Sequence, residues 1–112
     1  MYRQDSCGDL RASDAGRRVG LAGWLHRRRD HGGVTFIDLR DRSGLVQVVA
    51  NPDTAPEAHR ALAEARPEWV LQVLGEVRRR PAGMENAALA SGEVEVSAAE
   101  VEKFKLKEAE LR

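Results

Sequence analysis

The sequence predicts a mostly β fold in which one helix lies between the third and the fourth of five strands. Three observations support this fold class. Apolar and polar residues alternate in several short runs, as they do in strands that bury one face. Glycine-containing turns separate the first three runs, at residues 30–33 and 41–44. Between residues 54 and 67 the apolar spacing changes from two residues to about 3.6, which is the period of a helix.

The composition is that of one small cytoplasmic domain. The chain has 112 residues, of which 42% are hydrophobic and 32% are charged, and this length fits a single domain. No apolar run approaches the roughly 20 residues of a membrane span, and the N-terminus lacks the apolar segment of a secretory signal. A lone cysteine, Cys7, excludes an internal disulfide and a cysteine-rich zinc site. Neither His26 nor His59 has a companion ligand, so we expect no bound metal.

The first three predicted strands form a meander. They span residues 19–28, 34–40 and 45–50. Asn51 and Pro52 end the third strand because proline cannot donate to a sheet ladder. Residues 1–16 are expected to be irregular.

A helix and two further strands follow the meander. Residues 54–57 resemble a helix start, with a hydroxyl as cap and then proline and glutamate in the first turn, and Pro67 ends the helix. The remaining strands are predicted at residues 69–78 and 92–98. Residues 101–112 are predicted to form a charged tail that is helical or frayed.

This order of elements is that of the OB-fold, a small five-stranded Greek-key barrel. We therefore predict an OB-fold over residues 1–100. Such domains bind oligonucleotides or oligosaccharides on the face of strands two and three. The charges agree with either a basic binding face or a solvated surface, because residues 17–42 carry seven Arg against three Asp although the whole chain has no net charge.

The second strand carries the clearest functional signal. If Ile37 and Leu39 face the core, alternation places Phe36 on the outer face with Asp38 and Arg40. An exposed aromatic ring among arginines is typical of proteins that bind single-stranded nucleic acid. The alternative is that Phe36 packs beneath a loop or the tail.

Two neighbouring features strengthen this signal. Gln47, on the third strand, offers a donor and an acceptor to a base edge, although by itself it is also compatible with a solvated strand residue. Short turns force strands two and three to pair, so we expect Gln47 and Phe36 to lie side by side on one face. Arg27, Arg28 and Arg29 leave the first strand, and alternation divides them between its two faces. His31 lies in the following turn, where a single histidine is usually solvated.

Several segments resemble the N-terminal anticodon-binding domain of bacterial aspartyl-tRNA synthetases. The strongest are residues 23–33, 36–44 and 45–49, and the match is extended by residues 51–53, 66–68 and 90–96. The resemblance covers about residues 7–98. It implies an OB-fold that grips the anticodon loop of tRNA(Asp), in a protein of the cytoplasm.

The resemblance also implies roles for three side chains. Phe36 would stack on the central uracil of the anticodon, and Gln47 would hydrogen-bond the bases of the second and third positions. Glu95 would hydrogen-bond the wobble guanine, whose N–H donors suit a carboxylate. A general single-strand binder has no use for a carboxylate in an anionic groove.

Further contacts follow from the same resemblance. Arg29 would bind anticodon bases or the adjacent backbone, Arg27 and Arg28 the nearby phosphates, and Arg78 is a weaker backbone candidate. The loop that ends at Asn86 would lie near the third anticodon base.

His31 points to relaxed specificity within this family. Members specific for tRNA(Asp) often have leucine at this position, whereas members that also charge tRNA(Asn) often have histidine and a short glycine-containing loop like residues 80–83. The chain resembles the relaxed kind, so tRNA(Asn) is a second expected partner.

The chain departs from the family in its C-terminal part. It lacks the class II motifs that bind ATP and aspartate, so we expect no catalysis and no cofactor here; ATP and Mg²⁺ belong to the family's catalytic domain. Full-length members are homodimers, and we expect the isolated domain to be a monomer. Two other functions remain open, a free-standing single-strand binder and a protein- or oligosaccharide-binding OB domain. Residues 101–112, where the family's hinge would begin, do not resemble that hinge.

Overall fold

The computed structural model describes residues 3–104, which contain six strands and one α-helix. The elements are β1 (Arg3–Gln4), β2 (Arg18–His31), β3 (Val34–Asp41), β4 (Gly44–Ala50), α1 (Pro56–Glu64), β5 (Val70–Arg79) and β6 (Val94–Phe104). Two single 3₁₀ turns precede β2. No helix in this described part is long and apolar enough to cross a membrane.

Strands β2 to β6 form a closed barrel. Neighbours pair in the order β2-β3-β4-β6-β5, and β5 pairs again with β2. The long strand β2 closes the barrel, because its first half pairs with β5 and its second half pairs with β3. Gly23 lies at the changeover, where a Cβ atom would be 2.2 Å from the carbonyl oxygen of Arg40. The predicted five-stranded barrel with one helix between its third and fourth strands is confirmed, and β1 adds a short parallel pairing to β2.

Alternating apolar side chains fill the barrel. Ile37 and Leu39 are fully buried, as the sequence predicts, and Leu62 of α1 closes the barrel beside Ala58. Helix α1 begins at Pro56, but its N-cap is Ala55 and no side chain caps it. The predicted hydroxyl cap is therefore wrong: Thr54 lies one residue before the N-cap, and its hydroxyl donates to the carbonyl oxygen of Asn51 at 3.5 Å.

The segment before β2 is docked against the β3–β4 turn. The Cys7 N–H donates to Oδ2 of Asp41 at 2.8 Å, and the Gly8 N–H donates to Oγ of Ser43 at 2.7 Å. Cys7 and Leu10 are buried in the core. Burial and the Asp41 carboxylate both raise the pKa of the Cys7 thiol above its ordinary value.

The predicted helical tail is wrong for residues 101–104. These residues continue β6 and pair with the first half of β5, and Val101 packs against the core. The register shifts after Ala98, so that Ala98 pairs with Gly75 and Glu100 with Leu74. This bulge moves the next inward residue from position 100 to Val101, which ends the simple alternation that residues 94–98 show. The rest of the predicted tail, 105–112, lies outside the described residues.

Candidate nucleic-acid interface

A groove of about 760 Å³ runs over the outer face of β3, β4 and β6 and under the loop that follows β5. Its lining residues are Arg29, Asp30, His31, Val34, Phe36, Gln47, Val49, Asn51, Arg80, Pro81, Met84, Asn86 and Glu95. Six of the nine residues proposed from the sequence lie in this set. The structure therefore brings most of the predicted site together.

Strand register explains why these side chains converge. Phe36 pairs with Arg29 on β2 and with Val49 on β4, while Gln47 pairs with Glu95 on β6. Side chains of directly paired residues lie on the same face of a sheet. Phe36 is half-buried and lines the groove, so its ring is a side wall of the cavity.

A chain of hydrogen bonds crosses the groove. Nη2 of Arg29 donates to Oε1 of Gln47 at 2.9 Å, and Nε2 of Gln47 donates to Oε1 of Glu95 at 3.1 Å. Nη2 of Arg78 donates to Oε2 of Glu95 at 3.3 Å. Gln47 and Glu95 are 7% and 6% exposed, and polar groups this deeply buried require partners. The contacts fix the direction of the Gln47 amide, because its oxygen faces Arg29 and its nitrogen faces Glu95.

Arg80 is the main functional candidate that sequence reasoning missed. Its side chain is buried, its Nε donates to the carbonyl oxygen of Val94 at 3.0 Å, and its Nη1 approaches that of Met84 at 3.5 Å. Burial lowers the pKa of the Arg80 guanidinium, although the carboxylates of Glu95 and Asp38 act in the opposite direction. Arg80 lies two residues after Arg78, so strand alternation could have indicated that both side chains lie on the same face of the sheet.

The arginine triplet is divided between the two faces, as predicted. Arg29 pairs with Phe36 and Arg27 with Asp38, which places both on the outer face of β2 and β3. Arg28 lies on the other face, where its Nη1 donates to the carbonyl oxygens of Ala63 and Ala65 at 2.6 and 2.9 Å. The structure thus does not bring Arg28 to the groove.

The loop after β5 forms the upper wall of the groove. The Asn86 N–H donates to the carbonyl oxygen of Gly92 at 2.9 Å, and Oδ1 of Asn86 accepts from the Ala88 N–H at 3.0 Å. A Cβ atom on Gly92 would lie 1.7 Å from the Asn86 carbonyl oxygen, so only glycine permits this closure. His31 is exposed at the opposite wall. Within residues 3–104, no group of three His, Cys, Asp or Glu side chains is arranged to hold a metal ion.

The closed five-stranded barrel defines an OB-fold. Its groove combines an aromatic ring, arginines and a buried amide–carboxylate pair, which is typical of the OB-folds that bind nucleic acid. A comparison with known protein families supports this class. Residues 19–104 match the model of the OB-fold nucleic acid binding domain, and the chain belongs to that family.

Known relatives define the branch of this family. The chain is 57% identical over 100 residues to the aspartate–tRNA(Asp/Asn) ligase of Moorella thermoacetica, covering 89% of the chain and 16% of the relative. It is 56% identical over 97 residues to the enzyme of the same name from Rubrobacter xylanophilus, covering 87% and 16%. The chain thus spans about one sixth of these relatives' length, and the predicted resemblance to aspartyl-tRNA synthetases is confirmed.

Solved structures support the fold. The asparaginyl-tRNA synthetase from Pyrococcus horikoshii, complexed with asparaginyl-adenylate, superimposes with a TM-score of 0.77 at 23% identity, over 96% of this chain and 23% of the other. An OBody bound to hen egg-white lysozyme gives a TM-score of 0.75 at 23% identity, over 93% and 96% of the two chains.

Proposed function

We propose that this chain is the anticodon-binding domain of a cytoplasmic aspartate–tRNA ligase and binds the anticodon loops of tRNA(Asp) and tRNA(Asn). The observation that carries the proposal is the row of Phe36, Gln47 and Glu95 across one groove. Its relatives, at 52–57% identity, are named as ligases for both tRNAs. The chain supplies recognition, and activation of the amino acid belongs to other parts of the enzyme.

Phe36 supplies stacking in this proposal. A base that leaves the loop's own stack can lie on the ring, which contributes roughly 1–3 kcal/mol and does not depend strongly on base identity. The ring is held by its buried neighbours Thr35 and Ile37, which anchor β3 in the core. Affinity for an unstacked loop follows from this contact.

Gln47 and Glu95 supply base specificity. Both side chains are already held by hydrogen bonds in the free protein. They therefore lose little further conformational freedom when a base binds. A guanine presents N–H donors to the remaining acceptor sites of the carboxylate, whereas a base without them displaces water from those sites and makes no hydrogen bond in return. Such uncompensated desolvation costs about 1–3 kcal/mol, which is the origin of discrimination in this proposal.

The arginines on the outer face supply attraction for phosphates. Arg27 and Arg29 are both exposed on that face, and Arg29 also contacts Gln47. Arg28 makes its contacts at the end of α1, so we expect its loss to act mainly through the fold. His31, at the wall of the groove, is the proposed source of tolerance for both tRNAs.

The test is the binding of the domain to RNA stem–loops that differ only in the anticodon. We expect loops with GUC and GUU to bind with similar affinity, and both to bind more tightly than a loop with an unrelated triplet. Equal, steeply salt-dependent binding of all three would leave only a general RNA binder. If the domain binds none of the three loops, the proposal for this domain is contradicted.

A further inference from the structure

Two adjacent arginines on β5 have different partners on β6. Arg78 lies 3.3 Å from Oε2 of Glu95, and their side chains are 50% and 8% exposed. Arg79 lies 3.8 Å from Oε2 of Glu93, and those side chains are 67% and 63% exposed. Ion pairs between exposed groups such as Arg79 and Glu93 contribute little, whereas a buried carboxylate depends on its partner.

The Glu95 carboxylate is held from both sides. Oε1 accepts from the Gln47 amide and Oε2 accepts from Arg78. One oxygen alone would leave the carboxylate free to rotate about its terminal bond, since such torsions are broad. Contacts at both oxygens fix its plane relative to the groove.

The other guanidinium groups near Glu95 form hydrogen bonds with different acceptors. Arg29 donates to Gln47, and Arg80 donates to the backbone carbonyls of Val94 and Met84. Within residues 3–104, Arg78 is the arginine that forms a hydrogen bond with Glu95. The orientation of the carboxylate therefore depends on Arg78 together with the Gln47 amide.

We propose that Arg78 is a positioning residue for the wobble base and acts through Glu95. This inference rests on the proposed function, in which Glu95 binds the N–H donors of guanine. Hydrogen bonds weaken steeply with angle, so a carboxylate that loses its fixed plane distinguishes guanine from adenine less well. Arg78 lies outside the residues that line the groove, which fits a role behind the contacting group.

The experiment compares Arg78→Gln with Arg79→Gln, which removes the same charge from the neighbouring position. Binding of each variant to stem–loops with GUC and AUC anticodons is measured by fluorescence anisotropy at several salt concentrations. We expect Arg78→Gln to reduce the preference for GUC over AUC by about tenfold, and Arg79→Gln to leave that preference unchanged. Arg78→Lys keeps the charge without the planar fork, so we expect it to restore the preference only in part.

A second comparison shows whether the effect passes through Glu95. In a Glu95→Gln background, adding Arg78→Gln should change the GUC preference no further, because residues that act as one unit are not additive. Thermal unfolding of every variant checks the fold, and we expect Arg78→Gln to stay folded because the Arg78 side chain is half exposed.

Other results would overturn the proposal. An equal loss of affinity for both loops, with a salt slope reduced by about one, is the behaviour of a phosphate contact. A further change of preference in the Glu95→Gln background would show that Arg78 acts by another route. If the wild-type domain itself does not prefer GUC over AUC, the proposed function fails together with this inference. A wild-type preference that survives Arg78→Gln overturns this inference alone.

Discussion

Phe36 is the side chain on which affinity for the loop should depend most. Replacing it with alanine removes the stacking surface, so we expect Phe36→Ala to weaken binding of a GUC stem–loop by roughly 1–3 kcal/mol. Phe36→Tyr keeps a ring and serves as the matched control, with affinity close to that of the wild type. Unchanged binding by the alanine variant would exclude Phe36 from the interface.

Gln47 should control selectivity more than affinity. Its amide links Arg29 to Glu95, so Gln47→Ala removes both a base contact and the support of its neighbours. We expect the differences among anticodons to shrink by more than the mean affinity falls, as measured over a panel of stem–loops. A uniform loss over the whole panel would assign Gln47 a positioning role instead.

Asp41 makes stability depend on pH through the docked N-terminal segment. Burial alone would raise the pKa of this carboxyl, but hydrogen bonds from the Ser43 hydroxyl and from the Cys7 and Ser43 N–H groups hold it below its ordinary value. Because the folded pKa is the lower one, the stabilisation is present above the unfolded pKa and is lost as the pH falls through the folded pKa.

Comparison of Asp41→Asn with the wild type tests this linkage. We expect the variant to lose on the order of 1 kcal/mol of unfolding free energy at neutral pH, and the difference to shrink as the pH falls below the usual range of a carboxyl. Urea unfolding at a series of pH values measures it, with the exposed Asp53→Asn as control. A difference that is constant over the acid range would contradict the assignment.

At the level of single residues, strand alternation predicts the face on which a side chain lies, but not always the group that the side chain contacts. Phe36 and Gln47 were predicted to share a face because short turns force β3 and β4 to pair, and the register confirms this. The family resemblance predicts a phosphate contact for Arg28, yet its guanidinium donates to backbone carbonyl oxygens at the end of α1. That contact depends on the packing of a distant helix, which no local period reveals.

At the scale of elements, the strands of the barrel were predictable and their ends were not. Apolar runs bounded by turn residues indicate all five barrel strands. Alternation marks β3 and β5, whereas β4 is buried without a break over residues 46–50. It failed at the end of β6, where the bulge after Ala98 shifts the inward position to Val101. The charged composition of that segment favoured a helix, whereas pairing with β5 satisfies its backbone as a strand.

Gly75 is an element-scale position that the same bulge makes sensitive. A Cβ atom there would lie 2.3 Å from the Ser97 carbonyl oxygen and 2.9 Å from Cγ1 of Val96. We expect Gly75→Ala to separate β5 from β6 and to lower the unfolding free energy by about 1–3 kcal/mol, measured by chemical denaturation. Glu76→Ala, at the next and exposed position, is the control and should have little effect.

If Gly75→Ala is as stable as the wild type, the close approach of β5 and β6 is not present in solution. The barrel would then close with more space at this point than the structure shows. A loss of stability in both variants would instead indicate that this part of β5 tolerates no substitution, and the steric explanation would not hold.

At the scale of the whole molecule, the basic charge and several of the predicted contact residues lie in the same part of the chain. The net charge is zero, although residues 17–42 are basic and form most of β2 and β3. We expect attraction to phosphates to come mainly from this segment, and base contacts to supply much of the affinity in the proposed function. In the proposed function, such recognition belongs to one part of a larger enzyme, and the relatives of this chain are about six times longer than the matched segment.

Photocrosslinking can show whether the groove over β3, β4 and β6 holds the anticodon bases. A GUC stem–loop with 5-iodouridine at the central anticodon position is bound to the domain and irradiated, and the crosslinked peptide is identified by mass spectrometry. We expect a crosslink at Phe36, which disappears in Phe36→Ala. A crosslink at Trp24 or Trp69 instead, with Phe36 unmodified, would contradict it.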